Sequence, residues 1–112
     1  MARVLLVDDD EELSEALAAW MGLRGHEVRT VREGRRAVAE AREFAPDLVL
    51  LDAVLGGTTG AAVACQLAAA GVRRVVFCTG MAPGELPPGV PVLEKPLRLD
   101  RLEALLDEPA AG

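Results

Sequence analysis

The chain has 112 residues, the length of one domain with no room for a second. Apolar residues make up 51% and charged residues 27%, which excludes a disordered or fibrous chain and leaves enough apolar surface for a core. Twelve basic residues against 18 acidic ones give a net charge of −6, which argues against a nucleic-acid or anionic-membrane ligand.

Val4-Leu5-Leu6-Val7 opens the chain as an apolar run of strand length that stops at Asp8-Asp9-Asp10. Continuous runs suit strands buried on both faces of a parallel sheet. Leu13, Ala16, Leu17, Trp20 and Met21 then repeat at helical spacing, with acids in the first turn and Gly25 as the stop. His26 to Val31 reads as an edge strand. Ala37, Val38, Ala41 and Phe44 or Ala45 give a second helix, closed by Pro46.

Leu48 to Leu51 is a second apolar run, ending at Asp52. A loop with Gly56, Gly57 and Gly60 follows, then a helix whose stripe is Ala61, Ala64, Cys65 and Ala68, stopped by Gly71. Val75 to Cys78 is a third run, ending at Thr79. Three prolines and three glycines between 80 and 89 predict one helical turn at most there, around Pro83 to Leu86. Val90 to Leu93 predicts a short last strand before Glu94-Lys95-Pro96. Leu99, Leu102, Leu105 and Leu106 mark a final helix. The domain is expected over 1–108, with 109–112 as a tail.

Strands alternating with helices predict an α/β domain: a doubly wound, flavodoxin-like five-stranded parallel sheet of order 2-1-3-4-5, with its fourth helix shortened or lost. No apolar run reaches the ~20 residues of a membrane span. The start, Met-Ala-Arg before a four-residue apolar run, does not read as a signal peptide. Cys65 and Cys78 fit a reducing compartment, so a cytoplasmic location is expected.

Missing residue types narrow the chemistry. There is no Tyr or Asn, one His (His26) and one Ser (Ser14). A Ser-His-Asp triad would need Ser14 from inside a helix, and a zinc site lacks ligands. Carboxylates, threonines and cations remain. Lys95 is the single lysine among 11 arginines, which suggests a place where a compact ammonium is needed rather than a planar fork.

The predicted strand ends bring these groups together. Asp8 and Asp9 follow strand 1, Asp52 strand 3, Thr79 strand 4 and Lys95 strand 5. In the order 2-1-3-4-5 they share one sheet edge at the switch point, where such sheets bind ligands. Three clustered carboxylates repel one another, and Mg²⁺, which favours carboxylates, waters and phosphoryl oxygens, resolves that repulsion. Asp52 then serves as nucleophile toward phosphorus, Lys95 neutralises developing charge, and Thr79 donates a hydrogen bond to a phosphoryl oxygen.

With these residues in this order, the chain resembles the receiver domain of two-component response regulators over essentially its whole length. Val4 to Asp9 is similar to that family's first strand and acidic pair. Pro46 to Asp52 is similar to the strand carrying the phosphoacceptor, Val75 to Thr79 to the strand carrying the switch hydroxyl, and Leu93-Glu-Lys-Pro-Leu97 to the Lys-Pro segment. The resemblance implies that Asp52 takes a phosphoryl group from a histidine kinase or phosphotransfer protein. It implies Mg²⁺ on Asp9, Asp52 and the Val54 carbonyl, with Asp8 acting through water. Thr79, Lys95, Ala53 and Gly80 would contact the phosphoryl group, and the bond before Pro96 would be cis.

The resemblance also marks departures. Gly56 and Thr59 stand where the family usually has Pro and an acid, which predicts a looser loop. Val92 stands in place of the usual switch aromatic, and the 80–89 segment in place of a full fourth helix. Val54 and Met81 would border the path of a hydrolytic water. Neither side chain orients a water, which predicts slow loss of phosphate.

These readings point to a phosphoryl-accepting switch acting on a downstream protein partner, with no turnover activity, no nucleic acid and no membrane. Two alternatives stand beside it. One is a binding module of the same fold that works without phosphorylation. The other is a Mg²⁺-dependent phosphohydrolase, which Val54 disfavours because it occupies the place of a second acid.

Overall fold

The structure, a computed structural model, describes residues 2–55, 58–79, 91–95 and 97–107. Its elements in order are β1 (Arg3–Val7), α1 (Glu11–Leu23), β2 (Glu27–Val31), a 3-10 turn (Gly34–Arg36), α2 (Ala37–Phe44), β3 (Leu48–Asp52), β4 (Val54–Leu55), β5 (Thr58–Thr59), α3 (Gly60–Ala69), β6 (Val75–Thr79), β7 (Val92–Glu94) and α4 (Leu99–Asp107).

Five strands form one parallel sheet in the order β2-β1-β3-β6-β7. This is the expected flavodoxin-like order 2-1-3-4-5, with the strands of the small β4–β5 hairpin counted between. The apolar runs explain it. Period-2 alternation sends Leu5, Val7, Val49, Leu51 and Phe77 to one face, where they pack with Ala37, Ala41 and Phe44 of α2 and Val63 and Leu67 of α3. Val4, Leu6, Leu48, Leu50, Val76 and Cys78 take the other face, with Leu17 and Met21 of α1 and Leu102 and Leu106 of α4. A run apolar at every position is what a sheet covered on both faces requires. Each such Val, Leu or Phe contributes ~1.5–3 kcal/mol by leaving water.

Three boundaries shift. The second strand begins at Glu27, because the His26 amide donates back to the Met21 carbonyl of α1 (3.1 Å), and His26 Nδ1 accepts from the Ala2 amide (2.9 Å). The last strand spans Val92–Glu94, later than expected. In α3 the core-facing residues are Gly60, Val63 and Leu67, while Cys65 and Ala68 are exposed. In a helix made mostly of alanine, the two large side chains at i and i+4 decide which face turns inward, since they bury most area. The segment 80–90, where a single helical turn was expected, and the 109–112 tail lie outside the described residues. No helix among the described residues is long and apolar enough to cross a membrane.

Candidate functional site

The carboxyl ends of β1, β3, β6 and β7 converge on one cluster. Asp8 directly follows β1, held there by its amide, which donates to the Val31 carbonyl (3.0 Å). Its side chain is buried, at 2% exposure, and both oxygens are engaged. Oδ1 accepts from the Asp10 amide (2.9 Å) and Oδ2 from Lys95 Nζ (3.0 Å). Asp10 is the N-cap of α1, its carboxylate accepting from the Leu13 amide (3.1 Å). One residue thus starts the helix and fixes the rotamer of the acid beside it. Asp9 between them is exposed.

Asp52 ends β3 at 8% exposure. Lys95 Nζ also reaches its Oδ2, at 3.4 Å. Lys95 in turn is placed by its own amide, which donates to the Thr79 carbonyl (2.9 Å) at the end of β6. Thr79 is buried, at 2% exposure. Asp8, Asp9 and Asp52 each offer a carboxylate oxygen within 4.8 Å of the others. Three negative charges therefore meet one ammonium.

Titration behaviour reflects this crowding. Burial alone would pull the Lys95 pKa down, but its hydrogen bond to Asp8 and the charges of Asp52 and Asp8 outweigh it, so the ammonium titrates above its ordinary range. Cys78, beside Asp52 in register, is pushed up to about 12, chiefly by burial.

The residues flanking Gly56 and Gly57 pair with one another. Val54 pairs with Thr59 and Leu55 with Thr58 in an antiparallel ladder. Thr59, in the position where an acid was expected, caps α3 by accepting from the Ala62 amide (3.1 Å). Gly60 comes so close to Asp52 and Ala53 that a Cβ on it would lie 2.7 Å from Ala53 Cα and 2.8 Å from the Asp52 carbonyl oxygen. Its amide donates to the Ala53 carbonyl (3.1 Å). Val92 is 38% exposed and pairs with Phe77 on the β7 edge. Gly56, Gly57, Gly80, Met81 and Pro96 lie outside the described residues, as does the Val54 side chain. The sequence did not single out Asp10 as the residue holding Asp8. Its signal was present as an Asp just before an amphipathic stretch.

Residues 4–87 match the family described as the response regulator receiver domain. The chain belongs to that family. It is 38% identical over 79 residues to the sensory transduction protein RegX3 of Mycolicibacterium smegmatis, a match covering 70% of this chain and 35% of that protein. It is likewise 38% identical over 77 residues to the DNA-binding response regulator MtrA of Mycobacterium leprae, covering 69% and 34%. The chain thus spans about a third of the length of these curated relatives. Among solved structures, the BeF3-activated N-terminal receiver domain of Klebsiella pneumoniae RstA superposes with a TM-score of 0.83 at 27% identity, over 93% of this chain and 94% of that one. A two-component response regulator from Clostridium difficile superposes with a TM-score of 0.87 over 95% and 93%, and at 19% identity it supports the fold alone.

Receiver domains are signalling switches rather than turnover enzymes, and they bind Mg²⁺ at an acidic pocket. The donors in this chain fit that ion. Three hard carboxylate oxygen donors lie close together, with no soft ligand among them.

Proposed function

We propose that this domain is a phosphoryl-accepting switch in which Asp52 takes a phosphoryl group from a phosphohistidine of a kinase or phosphotransfer protein. The observation that carries the reading is Lys95 Nζ, held 3.0 Å from Asp8 and 3.4 Å from Asp52 at the carboxyl edge of the sheet. An ammonium gripped by a second acid stands fixed where a phosphoryl group joined to Asp52 would carry its charge.

In this reading an Asp52 carboxylate oxygen forms the new bond to phosphorus. The bond from phosphorus to the histidine nitrogen breaks, and its electron pair stays on the imidazole. Lys95 Nζ moves from pairing with the Asp52 carboxylate to pairing with a phosphoryl oxygen, while Asp8 keeps it in place. Thr79 donates its hydroxyl to another oxygen, and Ala53 and Gly80 contact the group. Asp9, Asp52 and the Val54 carbonyl would hold Mg²⁺, with Asp8 acting through water. When bound, the ion supplies charge neutralisation for the transferring oxygens. Val54 and Met81 leave a hydrolytic water without a hydrogen-bonding partner, so the phosphorylated form is long-lived. Its consequence is altered affinity for a protein partner, in the cytoplasm.

The test is intact mass after incubation with acetyl phosphate and Mg²⁺. A gain of about 80 Da, present in the native protein and absent in Asp52→Asn, is the expected result. A native protein that never gains this mass is instead a binding module independent of phosphorylation. Continuous phosphate release without an adduct would make it a hydrolase.

A further inference from the structure

Gly34 opens the 3-10 turn after β2, far in sequence from the acids of the site, and it is buried. A Cβ there would lie 2.6 Å from Thr58 Cγ2, 3.0 Å from Leu55 Cδ1 and 3.0 Å from Val63 Cγ2. Those atoms belong to β5, β4 and α3. The turn therefore presses against both strands of the hairpin that follows Asp52 and against the helix that follows the hairpin. Thr58 is β-branched and stiff at χ1, so the contact does not yield by a simple rotation. Val63 and Leu55 are buried in the core and are equally constrained.

The residue that follows Thr59 is also tightly placed. Gly60, the first residue of α3, meets the backbone of Asp52 and Ala53 with no space for a methyl group. Val54 of the hairpin's β4 strand is the register partner of Thr59, one residue before Gly60.

We infer that Gly34 and Thr58 form a packing stop that sets the height of the β4–β5 hairpin, making Gly34 a positioning residue for the Val54 carbonyl, two residues after Asp52. The inference deepens the phosphoryl-switch reading and rests on it for the role of that carbonyl. An added methyl on residue 34 displaces the hairpin, and with it one oxygen donor of the acidic pocket. A methyl removed from Thr58 gives the hairpin slack. The two changes made together remove the closest of the three clashes, because the methyl gained on one side takes the place of the one lost on the other, while the 3.0 Å approaches to Leu55 and Val63 remain.

The experiment is a double-mutant cycle on the full chain: Gly34→Ala, Thr58→Ser and the pair, each titrated calorimetrically with Mg²⁺ and melted without it. Supporting residues around a metal site affect affinity by about tenfold or more, so Gly34→Ala should weaken Mg²⁺ binding by about tenfold. Thr58→Ser should weaken it less, and the pair should bind more tightly than either single variant. A purely structural glycine would lower the melting temperature and leave the Mg²⁺ affinity of the folded protein unchanged, which overturns the inference. If Gly34→Ala does not fold, the other two proteins decide. Weakening in Thr58→Ser with recovery in the pair supports the stop, and native affinity in Thr58→Ser refutes it. A native protein that binds Mg²⁺ but takes no phosphoryl group defeats the switch reading while leaving this cycle measurable. A native protein that binds no Mg²⁺ defeats both.

Discussion

The two edges of the parallel sheet use charge in opposite ways. At the amino edge, cations meet the carbonyl ends of helices. Arg3 donates from Nε and Nη2 to the Phe44 carbonyl (3.1 and 2.7 Å) at the end of α2, pairs through Nη1 with Glu27 (2.7 Å) and lies 4.3 Å over the Phe44 ring. Arg74 Nη2 likewise donates to the Leu105 carbonyl (3.1 Å) near the end of α4. These contacts satisfy helix termini and complement the dipole. At the carboxyl edge, three acids crowd one ammonium among the described residues. The amino edge is arranged for stability. The carboxyl edge holds unresolved repulsion, which stability alone would have removed.

The largest expected effect breaks the carboxyl edge. Asp52→Asn should abolish the acetyl-phosphate adduct entirely, yet raise the melting temperature in EDTA, because one of three mutually repelling charges is gone. The gain should be about 1 kcal/mol and should shrink in high salt. Arg3→Ala should do the reverse. Losing the helix cap, the ring contact and the Glu27 pair should cost about 2 kcal/mol in denaturant unfolding while leaving the adduct rate of the folded protein unchanged. If Arg3→Ala slows phosphorylation of the folded protein, or Asp52→Asn destabilises it, the contrast between the edges fails.

Alkaline titration sharpens the same comparison, since Cys78 and Lys95, both with raised pKa values, lie on the carboxyl side. Cys78 is pushed from its ordinary 9.0 up to about 12 by burial. In the folded protein it stays a neutral thiol, whereas in the unfolded chain it ionises near 9.0. Its contribution to stability is therefore complete below pH 9.0 and is lost as pH rises from there toward about 12. Lys95 adds to this loss. Its folded pKa is raised above 10.5, so its contribution is complete below 10.5 and disappears as pH climbs through the folded value. The melting temperature should hold to about pH 9 and then fall, and Cys78→Ala should delay the onset of the fall. At pH 8 iodoacetamide should label exposed Cys65 alone, reaching buried Cys78 only on unfolding. Labelling of Cys78 at the Cys65 rate would contradict the burial.

Much of this was legible in the sequence for local reasons. Val4 to Val7, Leu48 to Leu51 and Val75 to Cys78 announce two-sided burial by lacking any polar position, and in a parallel sheet the residues just past such runs fall on one edge. Asp8, Asp9, Asp52 and Thr79 follow from that alone. What stayed hidden depends on contacts between distant segments. Nothing around Arg74 in the sequence signals that it meets a carbonyl 31 residues away. The place of Gly34 is likewise set from afar, because nothing in its neighbourhood reveals the methyl of Thr58 pressing on it. The hairpin was obscured by Gly56 and Gly57, whose composition suggests a loose loop. The flanking Val54-Leu55 and Thr58-Thr59 pair nonetheless, with the bulky Leu55 anchored in the core.

The smallest expected effect tests whether the amino edge, stable as it is, still has slack. Ala45, the C-cap of α2, sits in the left-handed region at φ 53° and ψ 62°, and its amide donates to the Ala41 carbonyl (2.8 Å). Glycine ordinarily fills this place, since a Cβ in that conformation costs ~1 kcal/mol or more. The side chain is exposed and packs little, so its removal sacrifices almost no buried area. Against the relief stands the greater freedom of glycine in the unfolded chain, ~0.5 kcal/mol or somewhat more. Ala45→Gly should therefore stabilise by about 0.5 kcal/mol, a rise of ~2–4 °C in melting temperature for a domain of this size. Because α2 ends on the edge opposite the acids, Mg²⁺ affinity and adduct formation should stay at native values. A fall in melting temperature would mean that the alanine methyl contributes packing that outweighs its strain.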